Sequence, residues 1–154
     1  MSARRLNALS WFVLVALFAT FGLFGTAAAQ DAGQLKAHAA VLLCANEVPA
    51  VGDLDGFGFA GISLNPAQGR ICWVISASGI EPATAASLHY GAAGVAGDVV
   101  FDLTPPSGSQ SNSIGCTAAD PALMADIAMN PTNYYVNIYS AEFPAGALRG
   151  QLGN

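Results

Sequence analysis

The chain is predicted to be all-β, a Greek-key β-sandwich of about seven short strands with one short helix around residues 120–130. Three observations predict it. Apolar and polar residues alternate with period two in short runs, Gly-, Pro- and Asn-containing turns separate those runs at regular intervals, and one segment alone carries helix start and stop signals.

Taken in order, Val41–Cys44 is the first strand. The loop Gly52-Asp-Leu-Asp-Gly56 then leads to a second run, in which Phe57, Phe59 and Gly61 alternate with Gly58, Ala60 and Ile62 up to the Asn65-Pro66 break. In the third, Ile71, Trp73 and Ile75 share one face while Cys72, Val74 and Ser76 share the other, because successive side chains of a strand point to opposite sides. Ala85–Tyr90 is the fourth run, and Val99, Phe101 and Leu103 mark the fifth, closed by Pro105-Pro106. Thr104–Gly115 is rich in Ser, Gly and Pro and reads as a long exposed loop. Asp120 as N-cap, Pro121 at the first helical position and Pro131 as a stop then define the helix, with Leu123, Met124, Ile127 and Ala128 on its buried side. Tyr135–Ser140 and Ala147–Leu152 are the last two strands, joined by a Pro-Ala-Gly turn.

Ahead of these elements, Arg4 and Arg5 precede an apolar run from Trp11 to Phe24, followed by Ala27 and Ala29 as the small residues of a cleavage site. A basic start, an apolar stretch of about 7 to 15 residues and a small-x-small site describe a signal peptide over residues 1–29. A membrane-spanning helix needs roughly 20 apolar residues, which this run does not supply. The Arg pair lacks the flanks of a twin-arginine signal, and Cys44 lies too far on to be a lipidated cysteine. Cleavage leaves residues 30–154 as a single secreted or periplasmic domain that does not span the membrane. Its three cations, Lys36, Arg70 and Arg149, face ten carboxylates, a net charge of 3 minus 10, or -7. Such a surface repels nucleic acid and anionic lipid.

Cys44, Cys72 and Cys116 allow one bridge and one free thiol, and spacing alone leaves all three pairings open. No Cys-x-x-Cys pair suggests zinc. Gly91-Ala-Ala-Gly94-Val-Ala-Gly97 lacks the glycine spacing and following helix of a dinucleotide site, and reads as a flexible connection between strands. His38 sits near a frayed start, which leaves His89 as the histidine in the body of the domain. A hydrolase needs a converging nucleophile, base and orienting acid, and no serine here carries a nucleophile-elbow sequence. No catalytic set and no cofactor are therefore expected. Arg149, on the face opposite Leu148 and Leu152, is expected to pair with Glu142 across the turn or with Glu47, since the guanidinium fork suits a carboxylate. Tyr135 and Tyr139 share a face and could act together as amphipathic binding rings.

Three motifs, in order, resemble the chordin-type or CHRD domain across residues 40–152: Ala45-Asn-Glu-Val-Pro49, then Ala83–His89 with Gly91-Ala-Ala-Gly94, then Tyr134–Leu152. The resemblance implies a disulfide between Cys72 and Cys116, where bacterial members commonly carry cysteines, and leaves Cys44 without a counterpart. The family pattern also has His-x-His in the central motif and a further His in the closing strand. Ser87, His89 and Tyr139 occupy those positions here, so this member retains one imidazole of three. The missing catalytic set and the leader pattern, together with the resemblance, lead to the expectation of an exported, non-catalytic domain that binds an unidentified protein or envelope component. Its rival is a metal-binding protein, redox or otherwise, centred on His89 with Tyr139 as a second candidate ligand.

Overall fold

The computed structural model describes residues 33–107 and 111–153. The leader read over residues 1–29 lies outside them. The strands are β1 Lys36–Leu43, β2 Phe57–Asn65, β3 Arg70–Ser78, β4 Ala83–Tyr90, β5 Val99–Leu103, β6 Asn112–Ala118, β7 Tyr134–Ser140 and β8 Leu148–Gln151. The helix α1 spans Pro121–Met129. All eight strands form one antiparallel sheet in the order β5-β4-β7-β8-β1-β2-β3-β6. The stretch β8-β1-β2-β3 is the Greek-key order, in which three hairpin-linked strands are joined by a later strand returning beside the first.

The all-β class stands, while the two packed sheets of a sandwich are replaced by a single sheet that curls on itself. Trp73 of β3 meets Phe101 of β5 edge-to-face, with ring centroids 6.3 Å apart, although these strands lie near opposite ends of the sheet. Side chains facing the inside of the curl make the core. Leu42, Ile62, Leu64, Ile71, Ile75, Leu88, Val136, Ile138 and Leu148 are buried there, and Met124 and Ile127 of α1 join them. The helix begins as its sequence dictates, with Asp120 accepting hydrogen bonds from the Ala122 and Leu123 amides.

Two strands depart from the sequence reading. The segment read as an exposed loop over Thr104–Gly115 contains the start of β6, which pairs with β3 from Arg70↔Ala118 to Ser76↔Asn112. Its alternation is hidden because the inward residues are small. Ser113 accepts from the Trp73 indole nitrogen at 3.1 Å, and a Cβ on Gly115 would run into the Trp73 ring. A bulky indole on one strand thus selects a hydroxyl and a glycine on its neighbour. The first strand is also longer than Val41–Cys44. It starts at Lys36 and pairs along its whole length with β2, so His38, read as part of a frayed start, is buried instead. Lys36-Ala-His-Ala39 has little intrinsic strand preference, and its pairing with β2 decides its conformation.

Among the described residues, no helix is long and apolar enough to cross a membrane. The Cys72–Cys116 disulfide implied by the resemblance is present, joining directly paired residues of β3 and β6, and Cys44 is free.

Candidate functional site

The candidate residues assemble on the outer face of β4, β7 and β8, the side away from the core. Alternation along β7 sends Val136 and Ile138 inward and Tyr135, Asn137 and Tyr139 outward. Register then sets Ser87 opposite Asn137, His89 opposite Tyr135, and Arg149 opposite Asn137 from the other side. Three strands therefore bring Ser87, His89, Tyr135, Tyr139 and Arg149 into one polar layer.

His89 is buried, and both its ring nitrogens are engaged. Nδ1 lies 2.9 Å from the carbonyl oxygen of Gly97, which can only accept, so Nδ1 carries the proton. Nε2 is then the lone-pair nitrogen, 2.7 Å from the Tyr139 hydroxyl and 2.9 Å from Ser87 Oγ. Burial holds the imidazole pKa below its ordinary value, outweighing the Gly97 hydrogen bond, and the nearby Arg149 charge adds to the depression. The ring is neutral at pH 7 and fixed in one tautomer.

Tyr135 stacks on His89, with centroids 4.6 Å apart and planes 10° from parallel. Arg149 packs on the same tyrosine from β8, its guanidinium carbon 3.5 Å from the ring centroid. Neither carboxylate expected to pair with Arg149 does so: its Nη2 donates to the carbonyls of Ala92 and Val95, at 2.9 Å each. Glu142 lies instead on an open acidic cleft with Asp53, Asp55 and Glu81. The reason is topological. The glycine-rich β4–β5 loop folds back over the sheet and presents carbonyls closer to the guanidinium than either carboxylate.

That loop is fastened at several points, contrary to its reading as a flexible connection. Arg149 holds Ala92 and Val95, Gln151 Nε2 donates to Gly91 O at 2.7 Å, and His89 holds Gly97. The Gly97 amide in turn donates to the Tyr135 hydroxyl at 3.1 Å. Gln151 and Asn137 were not singled out in the sequence. Both lie one alternation step from a recognised residue, so the strand period alone could have found them.

Glu47 closes the layer from the β1–β2 connection. It is only 6% exposed, its Oε1 has no hydrogen-bond partner, and the Oδ1 of Asn137 has none either. Gly146, at φ 139°, leaves space that the Glu47 carboxylate fills, since a Cβ there would overlap that carboxylate. Burial raises the Glu47 pKa to about 7, against the opposing pull of Arg149 and of a hydrogen bond from Asn137.

The structure brings Ser87, His89 and Tyr139 together at the point where the family pattern would set three imidazoles. The donors present do not make a cupric or zinc set. They are one imidazole lone pair already accepting a hydrogen bond, one aliphatic hydroxyl and one phenol. Among the described residues, no group of three or more His, Cys, Asp or Glu side chains is placed to hold a metal ion.

Fold and site together define an antiparallel all-β domain whose outer polar layer locks one glycine-rich loop in place. The CHRD domain family model matches residues 38–152, most of the chain, and the protein belongs to that family. No curated protein and no solved structure matches it.

Proposed function

We propose that this is an exported, non-catalytic CHRD domain that acts by docking, through the outer face of β1, β2, β3 and β6. One observation carries the reading: that face exposes a continuous apolar surface. Val41 is 51% exposed, Phe57 53%, Phe59 42%, Val74 44% and Ile114 81%. They are neighbours by register, with Val41 opposite Phe59 and Val74 opposite Ile114, while Gly61 links the two pairs. Single exposed apolar residues are ordinary, but a contiguous set across four strands marks an interaction surface.

The polar layer supports the non-catalytic half of the reading. A general base must reach a substrate proton, and His89 is buried with Nδ1 spent on Gly97 and Nε2 on Tyr139. Export is supported by the leader pattern of residues 1–29 and by a disulfide, which persists in oxidising compartments.

The test follows the full chain in the cell that makes it. Fractionation is expected to recover the protein outside the cytoplasm, beginning near Gln30. Under native separation it should run in an assembly larger than one copy, and Phe59→Asp should release it. Retention in the cytoplasm would overturn export, and an assembly unchanged by Phe59→Asp would overturn docking through this face.

A further inference from the structure

We propose that the occupant of this face is a second copy of the same chain, packed sheet against sheet about a two-fold axis. The inference rests on the docking reading and names its partner. Charge supplies the first argument. The outward positions of β1, β2, β3 and β6 hold no carboxylate, and Arg70 at the far end is their one charged residue. The carboxylates of the described residues lie elsewhere, among them Asp53, Asp55, Glu81, Asp98, Asp126 and Glu142. In a two-fold interface the same patch meets itself, so carboxylates spread through it would be set against other carboxylates of the partner. A face cleared of charge on an otherwise acidic domain avoids that repulsion. A basic partner drawn to the acidic domain would find no carboxylate here to pair with.

Area supplies the second. Strands β2 and β3 have nine residues each, β1 eight and β6 seven. At about 4.8 Å between strands and about 3.4 Å per residue, the face covers roughly 20 by 30 Å, or about 600 Å² in projection. Tracing its side chains raises that figure toward the roughly 800 Å² per partner of a standard stable interface. The surface also suits stacking. Gly61 has Val74 Cγ1 and Phe59 Cε1 leaning over it, at 3.0 and 3.7 Å from where its Cβ would stand, so the centre is low and apolar. Two such faces can interdigitate at the ~10 Å separation of packed sheets.

Sedimentation of the purified protein, as processed by the expressing cell, tests the inference directly. The wild type is expected to dimerise with a dissociation constant in the micromolar range or tighter. Ile114→Asp and, independently, Val74→Asp should each weaken the dimer by at least about tenfold, since each buries an unpaired carboxylate in an apolar interface. Both side chains point to solvent in the single copy, and an unchanged melting profile of the monomeric fraction confirms that folding is intact. A wild type that stays monomeric up to about 1 mM, or a dimer indifferent to both substitutions, overturns the proposal. If that monomeric protein still loses its cellular assembly on Phe59→Asp, docking stands and only the second copy is wrong. If the assembly is also unaffected, both readings fall.

Discussion

Glu47 is the residue whose titration should be visible in the stability of the whole domain. The unfolded chain loses this proton near the ordinary value of 4.5, whereas the folded chain holds it to about pH 7. Between those limits the folded state carries one more proton than the unfolded state, so stability falls as pH rises. The contribution is fully present below about pH 4.5 and is lost as pH climbs through about 7. At 1.36 kcal/mol per pH unit, the full span corresponds to roughly 3 kcal/mol. The geometry explains why the protonated form is preferred. Glu47 is buried and its Oε1 has no donor, so the carboxylate would lose its hydration without full compensation while the neutral acid loses less. Glu47→Gln replaces that acid with a neutral group of the same shape that also carries donors. Urea unfolding of both proteins from pH 4 to 8.5 is the assay. The variant should match the wild type near pH 4.5 and exceed it by roughly 3 kcal/mol near pH 8. Equal pH slopes for the two proteins, or a variant less stable at pH 8, would refute the reasoning.

Three further variants probe the same layer and the sheet. Arg149→Lys keeps the charge but loses the planar fork, so it should cost about 1–3 kcal/mol in unfolding free energy. Hydrogen exchange should show the same variant loosening the β4–β5 loop, with faster exchange at the Val95 amide, which now bonds Ala92 O at 3.0 Å. Replacing Cys72 and Cys116 together by Ser removes a cross-link spanning 44 residues and should lower stability by about 2–4 kcal/mol in denaturant melts under non-reducing conditions. Ser87→His combined with Tyr139→His sets two more imidazoles beside His89 Nε2, where the replaced hydroxyls lie 2.9 and 2.7 Å away. Calorimetric titration with zinc should then show at least about tenfold tighter binding than the wild type, and no gain would count against a shared metal-site geometry in the family.

Much of this protein was legible in its sequence. Period two identified the core and outer faces of β3, paired Tyr135 with Tyr139, and set Arg149 opposite Leu148, because a strand's side chains alternate whatever its neighbours are. Asp120 and Pro121 announced the helix by local capping chemistry alone. The CHRD motifs carried the Cys72–Cys116 bridge. What local pattern could not carry was decided between strands distant in sequence. The inward residues of β6 are small because Trp73, forty residues earlier, occupies the space above them. Alternation in β2 separates Phe57 and Phe59 from Ala60 and Ile62, but only the curl of the sheet turns the phenylalanines outward and leaves an exposed apolar face. Arg149 could be seen as a cation in need of acceptors, yet its choice of Ala92 and Val95 over Glu47 depends on a loop folding back across the sheet. That choice leaves Glu47 buried without an ion pair, and burial raises its pKa against the weaker pull of Arg149 and Asn137. Sequence determines which residues share a face, because that is a property of the backbone. Which face is covered, and by what, is a property of the assembled sheet.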